Sequence, residues 1–76
     1  MTPSDEILAR FEEDIISATT HAGDYGVPQA DIMRPYLRLI PEPTLRYRVV
    51  RLERQNKIRI RDVGGRKLLL PAEVQE

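Results

Sequence analysis

With 76 residues and no cysteine, the chain is one domain near the lower size at which a packed core suffices, with no disulfide or thiolate metal site to help it fold. Its hydrophobic fraction of 41% and charged fraction of 32% argue against wholesale disorder, and no apolar run approaches the roughly 20 residues needed to cross a bilayer. The net charge is zero, yet residues 1–33 carry −6, residues 34–67 carry +8 and the remaining tail −2.

The first predicted element is a helix over about 3–21. Thr2 is placed to cap it, Pro3 takes the first helical position, and Asp5 follows three residues after the cap. Ile7, Phe11, Ile15 and Ala18, with Leu8 beside them, form one apolar stripe, while Ile16 points nearly opposite. Gly23 is a natural stop, and Asp24-Tyr25-Gly26 continues as a loop. A second helix is expected over about 28–38, beginning at Pro28, with Ala30, Met33 and Leu37 as its apolar positions. Pro35 interrupts that pattern, so the segment is kinked or split there. We read one kinked piece. Leu39 to Glu42 is then a tight connection with Ile40 buried.

The third predicted helix covers about 43–55. Leu45, Val49 and Leu52 fall within roughly 60° of arc at 100° per residue, which defines a buried stripe. Tyr47 and Arg54 project away from it, Val50 and Arg51 occupy the shoulders, and Arg46 and Arg48 lie on the flanks. Asn56 tolerates the left-handed conformation that ends a helix. A hairpin over about 58–70 follows: Ile58 and Ile60 alternate with Arg59 and Arg61, and Gly64-Gly65 supplies the turn. Pro71 ends the return strand, leaving 71–76 as a frayed tail.

Helix, helix, short turn, helix and hairpin is the layout of a winged helix-turn-helix domain, an α+β fold that is mainly α. Residues 44–58 resemble the motif of GntR-type and DeoR-type transcription regulators, which carry Thr-Val-Arg, then Leu, Leu-Glu, Gly and an apolar residue. The same places here hold Thr44-Leu45-Arg46, Val49, Leu52-Glu53, Asn56 and Ile58. Val27 to Ile32 looks like the start of the family's second helix, and Gly64-Gly65 falls at the tip of the wing. The chain departs from the pattern at Arg48, where GntR-type proteins keep a small residue. It departs again at Asn56 in place of glycine and Pro41 in place of a serine or threonine cap, so no subfamily is assigned.

The resemblance implies double-stranded DNA as partner and transcription regulation as function. The third helix would enter the major groove and the wing would reach adjacent backbone or minor groove. On that reading Tyr47, Arg48 and Arg51 face base edges, with Arg54 beside them, and the family pattern makes Thr44 and Arg46 phosphate contacts. Arg61, Arg66 and Lys67 are the wing's candidates, weakened modestly by Asp62. No domain for a small-molecule effector or for dimerisation is expected, so a homodimer would form through the first helix around Ile16. A cytoplasmic, nucleoid-associated location follows.

An enzyme is not expected. His21 is the only histidine, and its place at a helix end is explained by favourable interaction with the helix C-terminus. Glu12, Glu13 and Asp14 are consecutive and diverge around a helix, so they make no metal cage or carboxylate pair. Gly64-Gly65 lacks the lysine and helix of a phosphate-cradling loop. No cofactor is implied. The rival reading is a winged-helix module that binds protein, a subunit of a larger assembly, with the acidic first helix as its contact surface.

Overall fold

A computed structural model describes residues 2–72. Helix α1 spans Pro3–Ala22, strand β1 Val27–Pro28, helix α2 Gln29–Met33, helix α3 Glu42–Arg54, and strands β2 and β3 cover Ile58–Val63 and Arg66–Pro71. The fold is α+β, mainly helical, with three α-helices and one antiparallel sheet of order β1-β3-β2.

The start of α1 follows from its sequence. The Asp5 backbone N–H donates to the Thr2 hydroxyl at 3.2 Å, and the Thr2 N–H returns a bond to the Asp5 carboxylate at 3.2 Å. This reciprocal box satisfies two amides that the helix itself leaves open. The hydrogen bonds from Thr2 hold the Asp5 carboxyl below its ordinary pKa. Leu8, Phe11, Ile15 and Thr19 form the buried face of α1. Thr19 is tolerated there because its hydroxyl donates back to the Ile15 and Ile16 carbonyls at 2.9 and 3.0 Å.

The middle of the chain differs from expectation in two respects. The segment read as one kinked helix over 28–38 is split. After α2, Arg34–Tyr36 form a separate 3-10 turn with Pro35 near its start, because proline withholds the amide that would continue the α-helical ladder. The inward residues are Ile32, Met33 and Tyr36, whereas Ala30 and Leu37 are exposed. Tyr36 packs edge-on against Phe11, with ring centroids 5.0 Å apart, and its hydroxyl donates to the Asp14 carboxylate.

Second, Val27-Pro28 is a strand rather than a helix start, so the expected two-stranded hairpin is part of a three-stranded sheet. Val27 pairs with Leu69 and Pro28 with Leu68. Pro28 lacks an N–H, but β1 lies at the sheet edge, where that loss is tolerated. Gly26 precedes it with φ +74°, and a Cβ there would meet Leu68, Leu69 and Leu70 atoms at 3.3 Å. The residue must therefore be small.

Helix α3 starts at Glu42 and buries Leu45, Val49 and Leu52 as the spacing predicts. It ends in a Schellman motif: Asn56 has φ +58°, the Lys57 N–H donates to the Leu52 carbonyl and the Asn56 N–H to the Glu53 carbonyl, both at 3.0 Å. Strands β2 and β3 pair from Ile58–Pro71 to Val63–Arg66. Gly64 and Gly65, at φ +59° and +83°, make the two-residue turn whose positive φ values match strand twist. Pro71 belongs to β3 rather than to a frayed tail, and the rest of that expected tail beyond Ala72 lies outside the described residues. The core joins one face of α1 to α2, the Tyr36 turn, α3, Ile58 and Leu69.

Candidate nucleic-acid interface

Because one side of α3 is buried by Leu45, Val49 and Leu52, helical geometry sends Tyr47, Arg51 and Arg54 outward. All three are exposed, Tyr47 by 60%. Val50, a shoulder residue, is 36% exposed. Thr44 is half-buried at the start of the helix. The basic residues Arg51 and Arg54 also lie in the last turn of α3, where the helix dipole favours them.

Two arginines of the predicted site are engaged within the fold. Arg46 meets Glu42 one turn earlier at 2.8 Å, an exposed pair worth a few tenths of a kcal/mol. Arg46 remains at the surface, available to exchange that partner for another. Arg48 is different. Its guanidinium lies 3.6 Å from the Glu12 carboxylate of α1, and both side chains are only about one-fifth exposed, at 22% and 21%. Arg48 is thus turned toward α1 and away from the outward face. That pairing argues against the assignment of Arg48 to base edges: it ties α3 to α1. Asp31 pairs with Arg34 at 3.5 Å.

Arg61, Arg66 and Lys67 are exposed along the hairpin. Asp62 sits among them, opposite Lys67 in register, but its carboxylate accepts the Gly65 N–H at 3.1 Å and so braces the turn. Among the described residues the ion pairs are Arg34–Asp31, Arg46–Glu42 and Arg48–Glu12. Arg51, Arg54, Arg61, Arg66 and Lys67 enter none of them. The acidic residues of α1 reach the flank of α3 through Glu12 and leave its outward face unneutralised.

Val63, 49% exposed at the end of β2, is a surface apolar residue that the sequence pattern did not single out. Its only signal was its place beside the Gly64-Gly65 turn. Arg59, expected on a basic strand face, donates its Nε–H to the Pro71 carbonyl at 3.0 Å and serves the hairpin. Ile16, proposed as a self-association contact, is 38% exposed.

Among the described residues, no group of three or more His, Asp or Glu side chains could hold a metal ion, and no helix is long and apolar enough to cross a membrane. No family model matches the chain, and no curated protein and no solved structure matches it.

Proposed function

We propose that this protein is a winged helix-turn-helix DNA-binding protein, a small transcriptional regulator that places α3 in the major groove of double-stranded DNA. The observation that carries the reading is the outward face of α3. Tyr47, Arg51 and Arg54 are exposed there, the two arginines in no ion pair among the described residues, on a helix whose opposite side is anchored in the core. Supporting it, the order α1, β1, α2, α3 and hairpin matches the winged layout that the sequence resembles, with β1 completing the sheet behind the hairpin.

B-DNA has a major groove about 12 Å wide, enough for one helix. On this reading Tyr47, Arg51 and Arg54 meet base edges, an arginine there gripping guanine bidentately. Thr44 and Arg46 contact phosphate, Arg46 leaving Glu42 to do so. Arg61, Arg66 and Lys67 touch adjacent backbone or minor groove. Arg48 sets the angle between α3 and α1 and reads nothing.

The test is gel retardation of mixed-sequence duplexes at low salt. The wild type should retard them, and Arg51→Ala with Arg54→Ala should abolish the shift while leaving the circular dichroism spectrum unchanged. Absence of retardation by the folded wild type would contradict the proposal and favour a protein-binding module.

A further inference from the structure

We propose that the groove between α2, α3 and the hairpin docks an acidic, amphipathic peptide segment of a partner protein. The groove has a volume of about 690 Å³ and runs from Pro28 and Ala30 past Leu37 to the hairpin turn at Gly65. Its origin lies in the split second helix. That segment has two apolar faces. One, formed by Ile32, Met33 and Tyr36, enters the core. The other, Ala30 and Leu37, lines the groove together with Val50 of α3 and Ile60 of β2. Leu37 is 47% exposed and Val50 36%, so apolar surface from three elements lines one groove that no other described residue fills.

The charge around that surface selects the occupant. Arg34, Arg46, Arg66 and Lys67 line the groove, against the carboxylates of Asp31 and Glu42. Both carboxylates are already engaged, Asp31 with Arg34 and Glu42 with Arg46. Arg66 and Lys67 enter no ion pair among the described residues, and the nearby Asp62 is held by the Gly65 amide. The groove therefore offers an apolar floor with a surplus of cations on its hairpin side. Duplex DNA would satisfy the cations but leave Leu37, Val50 and Ile60 against phosphate or water. A peptide segment with carboxylates on one side and leucine-like side chains on the other satisfies both. The floor draws on Ala30, Leu37, Val50 and Ile60, which suits several side chains rather than a single ring. Arg46, Arg66 and Lys67 are shared with the proposed DNA contacts, whereas Tyr47, Arg51 and Arg54 do not line the groove, so variants of the latter separate the two readings.

The experiment titrates isotope-labelled full-length protein with a short synthetic helix of Leu pairs and Glu pairs, and with its counterpart in which every Glu is Gln. The Glu peptide should shift the amide resonances of Ala30, Leu37, Val50 and Lys67 together. Leu37→Ser, and separately Arg66→Ala with Lys67→Ala, should weaken its binding about tenfold. These positions are exposed, and unchanged thermal unfolding would confirm that the variants fold. Arg51→Ala should leave peptide binding intact while reducing DNA retardation, which separates this proposal from the DNA reading. The inference is overturned if the Glu peptide shifts nothing or shifts residues elsewhere, or if the Gln peptide binds equally well. It is overturned too if a short DNA duplex moves Leu37 and Val50 while the peptide does not.

Discussion

Tyr36 ties the turn after α2 to α1 at two points through one side chain. Its ring fills the space beside Phe11, and its hydroxyl reaches Asp14 on the outer edge of α1. Burial and the adjacent carboxylate push the phenol up to about 12 from an ordinary 10.0. The folded state therefore holds the proton more tightly than the unfolded state, so this contribution to stability is present below pH 10 and is lost as pH rises toward 12. Tyr36→Phe should cost about 1–2 kcal/mol at neutral pH through the lost hydrogen bond to a charged acceptor. It should also lose less stability than the wild type between pH 10 and 12. Urea unfolding at a series of pH values measures both. Equal losses for the two proteins would remove the Tyr36–Asp14 bond from the account. Arg48 teaches a different lesson at the same scale: a flank arginine on an exposed-looking helix can belong to the scaffold when a neighbouring helix supplies its carboxylate.

The elements differ in how far their sequences disclose them, and the reason is locality. Helix α1 carries its own cap, apolar stripe and glycine stop, and α3 carries a stripe of Leu45, Val49 and Leu52 with Asn56 beyond it. Those signals lie within a few residues, so they can be read directly. The hairpin has alternation and a Gly-Gly turn. Strand β1 has neither: two residues show no period, and its partners Leu68 and Leu69 stand about forty positions away. The split of the second helix was half legible, since Pro35 marked the place but not the outcome. Of the candidate site, the outward set of Tyr47, Arg51 and Arg54 followed from helical geometry alone. The engagement of Arg48 did not, because Glu12 comes from another helix. Gly26 offers the sharpest test at this scale. Gly26→Ala should destabilise by about 1–3 kcal/mol, because φ is +74° and the added Cβ would press on the Leu69 carbonyl at 3.3 Å. A variant as stable as wild type in thermal unfolding would show that β1 does not pin the loop as described.

Over the whole molecule, the charge asymmetry of the sequence becomes a spatial one. The acidic N-terminal helix packs behind α3, neutralises Arg48 through Glu12, and leaves the outward arginines and the hairpin basic. Such a distribution attracts a polyanion despite zero net charge. A single small domain makes few base contacts, so specific recognition is proposed to use two copies joined through α1 at Ile16. Light scattering at high protein concentration should then report a dimer that Ile16→Asp dissociates, whereas a wild-type monomer contradicts that arrangement.

The central claim is that α3 meets DNA with its outward arginines, and salt dependence tests it most directly. Fluorescence anisotropy of a labelled duplex, titrated at several salt concentrations, gives the slope of log affinity against log salt. We predict a steep negative slope for the wild type, reduced by about one for each phosphate-contacting cation removed. Affinity should fall for Arg51→Ala by about 1–3 kcal/mol, with Arg48→Ala close to wild type. A shallow wild-type slope, or an Arg48→Ala loss as large as that of Arg51→Ala, would contradict the account.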